Sequence, residues 1–178
     1  MPPTHVSQES YADYLVDAYS DLVLRVCYSH LESMHDARDA CQTVFLKYLR
    51  KFADDPTPFV DTNHEKAWFI RCAINTCTDM YRDAWRRSTI PLDNAGEPQF
   101  ALDPQPPSVL ESNEEHARIY RALHKLSANQ RQAVYLHYYE EYSVKEIAKL
   151  TGETPNTVSQ HLSRARAKLR GILGGEQR

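Results

Sequence analysis

Residues 143–170 read SVKEIAKLTGETPNTVSQHLSRARAKLR. Ser143 stands three residues before Glu146, the spacing of a capping box in which each side chain satisfies a backbone N–H at a helix start. Ile147, Ala148 and Leu150 follow at helical spacing, and Gly152 is the residue type that ends a helix in the left-handed conformation. Thr154 can then cap a second helix beginning at Pro155, whose missing N–H would have had no partner there. Along that helix Val158, Leu162, Ala165, Leu169 and Ile172 recur as one narrow apolar stripe. The opposite face presents Asn156, Ser159, Gln160, Ser163 and Arg164, short or forked polar groups able to meet base edges. Two capped helices joined by a turn of a few residues form a helix-turn-helix, whose second helix enters the DNA major groove. Residues 154–170 carry four basic side chains and no acid, in a chain of net charge -3.

The remainder of the chain must do something else. At 178 residues with 42% hydrophobic content it can build one domain or two small ones. It contains no apolar run of membrane-spanning length, and Met1-Pro-Pro-Thr-His-Val-Ser lacks the basic and apolar regions of a signal peptide, so a cytoplasmic protein is expected. Cys27, Cys41, Cys72 and Cys77 have no C-x-x-C spacing and read as small buried thiols. The eight histidines form no H-E-x-x-H or H-x-x-x-H pair. No metal, no cofactor and no catalytic constellation is expected; an enzyme is the remote reading.

Charge is uneven. Residues 1–87 hold 10 basic and 13 acidic side chains, residues 88–112 hold 0 and 4, and residues 113–178 hold 11 and 7. The last part is the polyanion binder. Residues 88–112 contain five of the ten prolines and read as an extended acidic linker between two modules.

The first module reads as three helices. Tyr11, Tyr14, Leu15, Ala18, Leu22 and Val26 mark the buried face of one; Ala37, Ala40, Cys41, Val44, Tyr48 and Phe52 mark a second. The third opens with the capping box Thr62-Asn-His-Glu65 and runs to about Arg87, burying Ala67, Ile70, Ala73, Ile74, Cys77, Tyr81 and Ala84. Its other face aligns Trp68, Arg71, Asn75, Asp79, Arg82 and Arg86. This is either a surface ion-pair stripe with Trp68 tucked against a neighbour, or an aromatic-and-cation surface that stacks unpaired bases. On the second helix Asp39, Gln42, Thr43, Leu46 and Arg50 lie opposite the buried stripe, so Leu46 is an apolar centre ringed by polar groups, as in a small protein contact.

Asp36-Ala-Arg-Asp-Ala-Cys-Gln-Thr-Val-Phe45, Lys66-Ala-Trp-Phe-Ile-Arg-Cys-Ala-Ile-Asn-Thr-Cys-Thr-Asp-Met-Tyr-Arg82, Leu126-Ser-Ala-Asn-Gln-Arg131 and the closing helix-turn-helix together resemble an extracytoplasmic-function (ECF) bacterial sigma factor. The resemblance implies an all-α fold of two small helical domains: residues 1–87 as the region-2 domain, 88–112 as the linker, and 113–178 as the region-4 domain. It implies docking of Asp36, Asp39, Gln42 and Leu46 on the clamp helices of the largest subunit of core RNA polymerase. Trp68, Arg71, Asn75, Asp79, Arg82 and Arg86 would hold the opened -10 element. Asn156, Thr157, Ser159, Gln160, His161, Ser163 and Arg164 would read the -35 element as duplex. An anti-sigma factor is an implied further partner.

Three places depart from the family pattern: Thr43 replaces an acid, Ile74 an arginine, and Ser159-Gln-His161 a Lys-Ser-Arg. Fewer fixed charges imply weaker phosphate clamping and more dependence on polymerase. The competing class is a stand-alone helix-turn-helix transcriptional regulator, which would leave the faces around Leu46 and Trp68 idle.

Overall fold

A computed structural model of the chain describes the backbone of residues 8–31, 33–52, 59–87 and 114–174 and the side chains of residues 11–31, 33–52, 59–83 and 118–174. The expected linker, 88–112, lies outside the described residues. Two compact helical units make up the chain, and among the described residues there is no strand. The first is built on α1 (Gln8–Leu31), α2 (Met34–Lys51) and α3 (Thr62–Arg87). The second comprises α4 (Glu114–Leu123), α5 (Ala128–Val134), α6 (Val144–Thr151) and α7 (Pro155–Gly174).

In the first unit the apolar stripes meet as their spacing requires. Leu15, Val23, Val26 and Cys27 of α1, Ala37, Ala40 and Val44 of α2, and Phe69, Ile70, Ala73 and Cys77 of α3 are all sealed from solvent. Phe69, absent from the expected core, is its largest fully buried side chain. Its ring stacks on Tyr19 at 5.0 Å and meets Phe45 at 5.3 Å. Tyr19 turns the face of α1 toward α3, which leaves Ala18, expected inside, exposed at the flank. Ala67, Cys41 and Tyr81 are half-buried, and the side chain of Ala84 lies outside the described residues.

The start of α3 differs from the expected capping box. Asp61 caps the helix, its Oδ1 accepting from the His64 N–H at 2.7 Å. Glu65 instead turns inward and is buried. There the Tyr19 hydroxyl donates to its Oε2 at 2.9 Å and the Tyr11 hydroxyl donates to Oε1. A buried carboxylate is tolerable when its oxygens are hydrogen-bonded, and two tyrosines satisfy this one. Burial, and then the bond to Glu65, push the Tyr11 hydroxyl far above its ordinary pKa.

All four cysteines are free thiols, Cys27 and Cys77 buried, Cys41 and Cys72 half-buried. The Cys77 thiol approaches the Cys27 carbonyl oxygen at 4.0 Å, and Cys41 approaches that of Ser20 at 3.8 Å. The bond to Cys77, and then burial, raise the Cys27 thiol well above its usual range, and burial pushes Cys41 up to about 11. Cys27 and Cys41 thus stay protonated, which suits packing and not nucleophilic chemistry.

The second unit closes around Leu136, Ile147, Val158, Leu162 and Ala165, all buried. Ser127 precedes α5, its N–H donating to Gln130 Oε1 at 3.2 Å. The buried Arg131 extends Nη1 to the Leu126 carbonyl at 3.2 Å, satisfying an acceptor at the turn after α4. A π-helical turn, Tyr135–Tyr139, continues α5. The chain then passes through Glu141 at φ 61 to the capping box of α6. That box is formed as the sequence predicts: Ser143 N–H donates to Glu146 Oε2 at 2.8 Å and Glu146 N–H to Ser143 Oγ at 3.3 Å. Gly152 ends α6 at φ 75, where any Cβ would be strained. Thr154 caps α7 by accepting from the Thr157 N–H at 3.2 Å. The α7 stripe is buried through Ala165 and only half-buried at Leu169 and Ile172.

Candidate polymerase and nucleic-acid interfaces

The outer face of α2 follows from the burial of its inner one. Ala37, Ala40, Val44 and Tyr48 point into the core, which turns Asp39, Gln42 and Leu46 to solvent. Leu46 is 50% exposed, and Leu49, three residues on and overlooked in the sequence reading, is 47% exposed. Two leucines at i, i+3 form a small apolar ridge behind a polar end. At that end Asp39 is exposed and Asp36 half-buried, and His35 Nδ1 lies 3.7 Å from Asp36 and 3.5 Å from Asp39. The attraction in the exposed His35–Asp39 pair is weak.

On α3 the expected stripe is present, with Arg71, Asn75, Asp79 and Arg82 all exposed. The side chain of Arg86 lies outside the described residues. Trp68 is half-buried in an aromatic cluster, with Phe69 at 5.1 Å, Phe52 at 5.5 Å, Phe59 at 5.9 Å and Tyr48 at 6.0 Å. Lys51 Nζ lies 5.9 Å from its ring centroid. The indole is thus braced by its own unit and carries a cation beside the ring. Two lysines of α2 that the sequence did not single out join this surface: Lys51, and Lys47, whose Nζ donates to Thr76 Oγ1 at 3.0 Å and reaches Asp79 at 4.0 Å. Arg82 reaches the same carboxylate at 3.9 Å. Asp79 thus lies beside two cations, in exposed pairs at the limit of ion-pair distance whose attraction is weak. Helical spacing does not reveal such cross-helix pairs.

On α7, Asn156, Ser159, Gln160, Ser163 and Arg164 are exposed along one face. Thr157 is half-buried and its hydroxyl meets that of the cap Thr154 at 2.9 Å. His161 is turned aside, with Nε2 3.2 Å from Glu153 Oε1. Five of the seven expected duplex contacts thus share one open face, while Thr157 and His161 also serve the start of the helix. Among the described residues no group of three His, Cys, Asp or Glu side chains could hold a metal ion, and no helix is long and apolar enough to cross a membrane.

A helix-turn-helix unit following a separate three-helix unit is the arrangement of a two-part transcription protein, and the comparisons define it further. The profile of Sigma-70 region 2 matches residues 15–87, and that of Sigma-70 region 4 matches residues 116–169. The chain belongs to the sigma-70 family, and its relatives place it in the ECF group. It is 29% identical over 171 residues to the ECF RNA polymerase sigma factor SigM of Mycobacterium tuberculosis, covering 96% of this chain and 81% of SigM. It is 27% identical over 178 residues to SigG of the same species, covering 88% of this chain but only 47% of SigG, so it spans about half the length of that relative. The sigma factor RpoE from Bartonella quintana, solved with the anti-sigma factor NepR, superposes with a TM-score of 0.63 at 19% identity, covering 93% of this chain and 98% of that one, and shares its fold.

Proposed function

We propose that this chain binds core RNA polymerase, directs it to promoters and starts transcription there, acting in the cytoplasm as a sigma factor. Residues 1–87 dock on the polymerase and hold the opened -10 element, residues 113–178 read the -35 element as duplex, and residues 88–112 link the two. Asp36, Asp39, Gln42 and Leu46 make the polymerase contact, with Leu49 extending it. Trp68, Arg71, Asn75, Asp79, Arg82 and Arg86 line the path of the unpaired strand, with Lys47 and Lys51 beside them. Asn156, Ser159, Gln160, Ser163 and Arg164 face the major groove. An anti-sigma factor, as in the complex of RpoE with NepR, is the expected regulator.

The observation that carries this reading is the coexistence of an exposed leucine ridge on α2 with a separate open polar face on α7. A stand-alone regulator needs only the second. Gel filtration with core RNA polymerase tests the difference: co-elution at the polymerase volume is expected, and elution of the chain by itself favours the stand-alone regulator.

A further inference from the structure

We propose that Glu153 is a specificity-determining residue of the duplex-reading helix, because its carboxylate clasps His161 and keeps that imidazole off the DNA. The inference rests on the reading of α7 as the promoter-reading helix. His161 stands two turns into α7, where the family resemblance leads one to expect an arginine. Its Nε2 lies 3.2 Å from Glu153 Oε1. A carboxylate can only accept, so Nε2 carries the hydrogen and donates it. The two side chains are 18% and 27% exposed, whereas Asn156, Ser159, Gln160 and Arg164 are exposed residues on the open face.

Glu153 is held at both its backbone and its second carboxylate oxygen, Oε2 lying 3.5 Å from Thr151 Oγ1. Its backbone is fixed between the left-handed Gly152 that ends α6 and the Thr154 that caps α7. Its N–H points at Thr151 Oγ1, 3.4 Å away. Half-buried, charge-assisted bonds are stronger and less screened than exposed ones, so the acid outcompetes a phosphate or a base edge for the imidazole. Base preference then comes from Asn156, Ser159 and Gln160. Glu153 acts through His161: it removes a reader that the helix would otherwise present.

The test uses the full chain bound to core RNA polymerase and a library of promoters randomised over the upstream duplex element, with retained sequences read out. His161→Ala should leave the base-preference profile as in the wild type, with affinity changed by no more than about threefold, the scale of a surface pair. Glu153→Ala should acquire a new base preference or a rise in sequence-independent affinity, and Glu153→Ala/His161→Ala should lose that gain. Glu153→Gln, whose neutral amide oxygen still accepts from Nε2 but without the charge, should show the Glu153→Ala change in weaker form. Asn156→Ala, the positive control, should alter the profile. A preference that vanishes in His161→Ala alone, or a Glu153→Ala profile equal to the wild type, would overturn the proposal. So would equal losses of melting temperature and binding in both single variants, which make the pair a structural tie only. If the wild-type complex retains no promoter DNA, it is the sigma-factor reading that fails, and this inference with it.

Discussion

Trp68→Ala is expected to destabilise the first unit as well as disturb DNA binding, and the size of the first effect follows from what the indole touches. Four aromatic rings lie within 5.1 to 6.0 Å of it, and Lys51 Nζ stands 5.9 Å from its centroid. Truncating a fully buried Trp costs about 3–5 kcal/mol, and each good aromatic pair adds roughly 0.5–1.5 kcal/mol beyond its area. Trp68 is half-buried, so about 2–3 kcal/mol is the appropriate figure. A unit of this size loses roughly 4–8 °C of melting temperature per kcal/mol, which makes the expected fall about 8–24 °C. Trp68→Phe keeps an aromatic ring in the cluster and should cost less than about 1.5 kcal/mol. Asn75→Ala, on the exposed face about two turns further along, should cost under about 0.5 kcal/mol. Thermal unfolding followed by circular dichroism, on all three variants in the full chain, measures these differences. A Trp68→Ala protein that melts within about 1 °C of the wild type would refute the packing argument. Asn75→Ala is therefore the cleaner probe of strand holding, since its losses cannot be blamed on the fold.

Leu46→Asp should abolish co-elution with core polymerase while moving stability by less than about 0.5 kcal/mol, as for an exposed site, measured by gel filtration beside a thermal melt; unfolding of the variant would show that Leu46 is core. Arg164→Glu should weaken duplex promoter binding by roughly 1–3 kcal/mol and leave polymerase binding intact, checked by gel shift of the holoenzyme. Alkali should destabilise the first unit: folded Tyr11 holds its proton far above the ordinary tyrosine value of about 10, so the folded state binds more protons than the unfolded one there. Its contribution is thus fully present below pH about 10 and lost as pH rises beyond it, and in urea titrations Tyr11→Phe should flatten that decline.

What could be read from the sequence was what local chemistry decides. The caps at Ser143, Gly152 and Thr154 depend on residues within three positions of one another, and the turn they define is formed as expected. The same locality misled at Thr62. Glu65 satisfies the spacing of a capping box, yet its partners are Tyr11 and Tyr19, 54 and 46 residues away, and Asp61 caps instead. Phe69 was missed because α3 is covered on two sides and its buried arc is wider than one stripe. Lys47 and Lys51 were invisible because they join the α3 surface from a neighbouring helix. His161 looked like a reader until the structure put Glu153 within 3.2 Å of it.

Run-off transcription with purified core RNA polymerase on a pool of genomic promoter fragments, with permanganate footprinting of unpaired thymines on the templates used, tests the central claim most directly. The account predicts discrete transcripts that require the chain, with thymine reactivity upstream of each start that falls about fivefold or more in Asn75→Ala, given roughly 1–3 kcal/mol for a lost hydrogen bond to a held base. A chain that binds promoter duplex yet gives neither transcripts nor reactive thymines with core polymerase would contradict it.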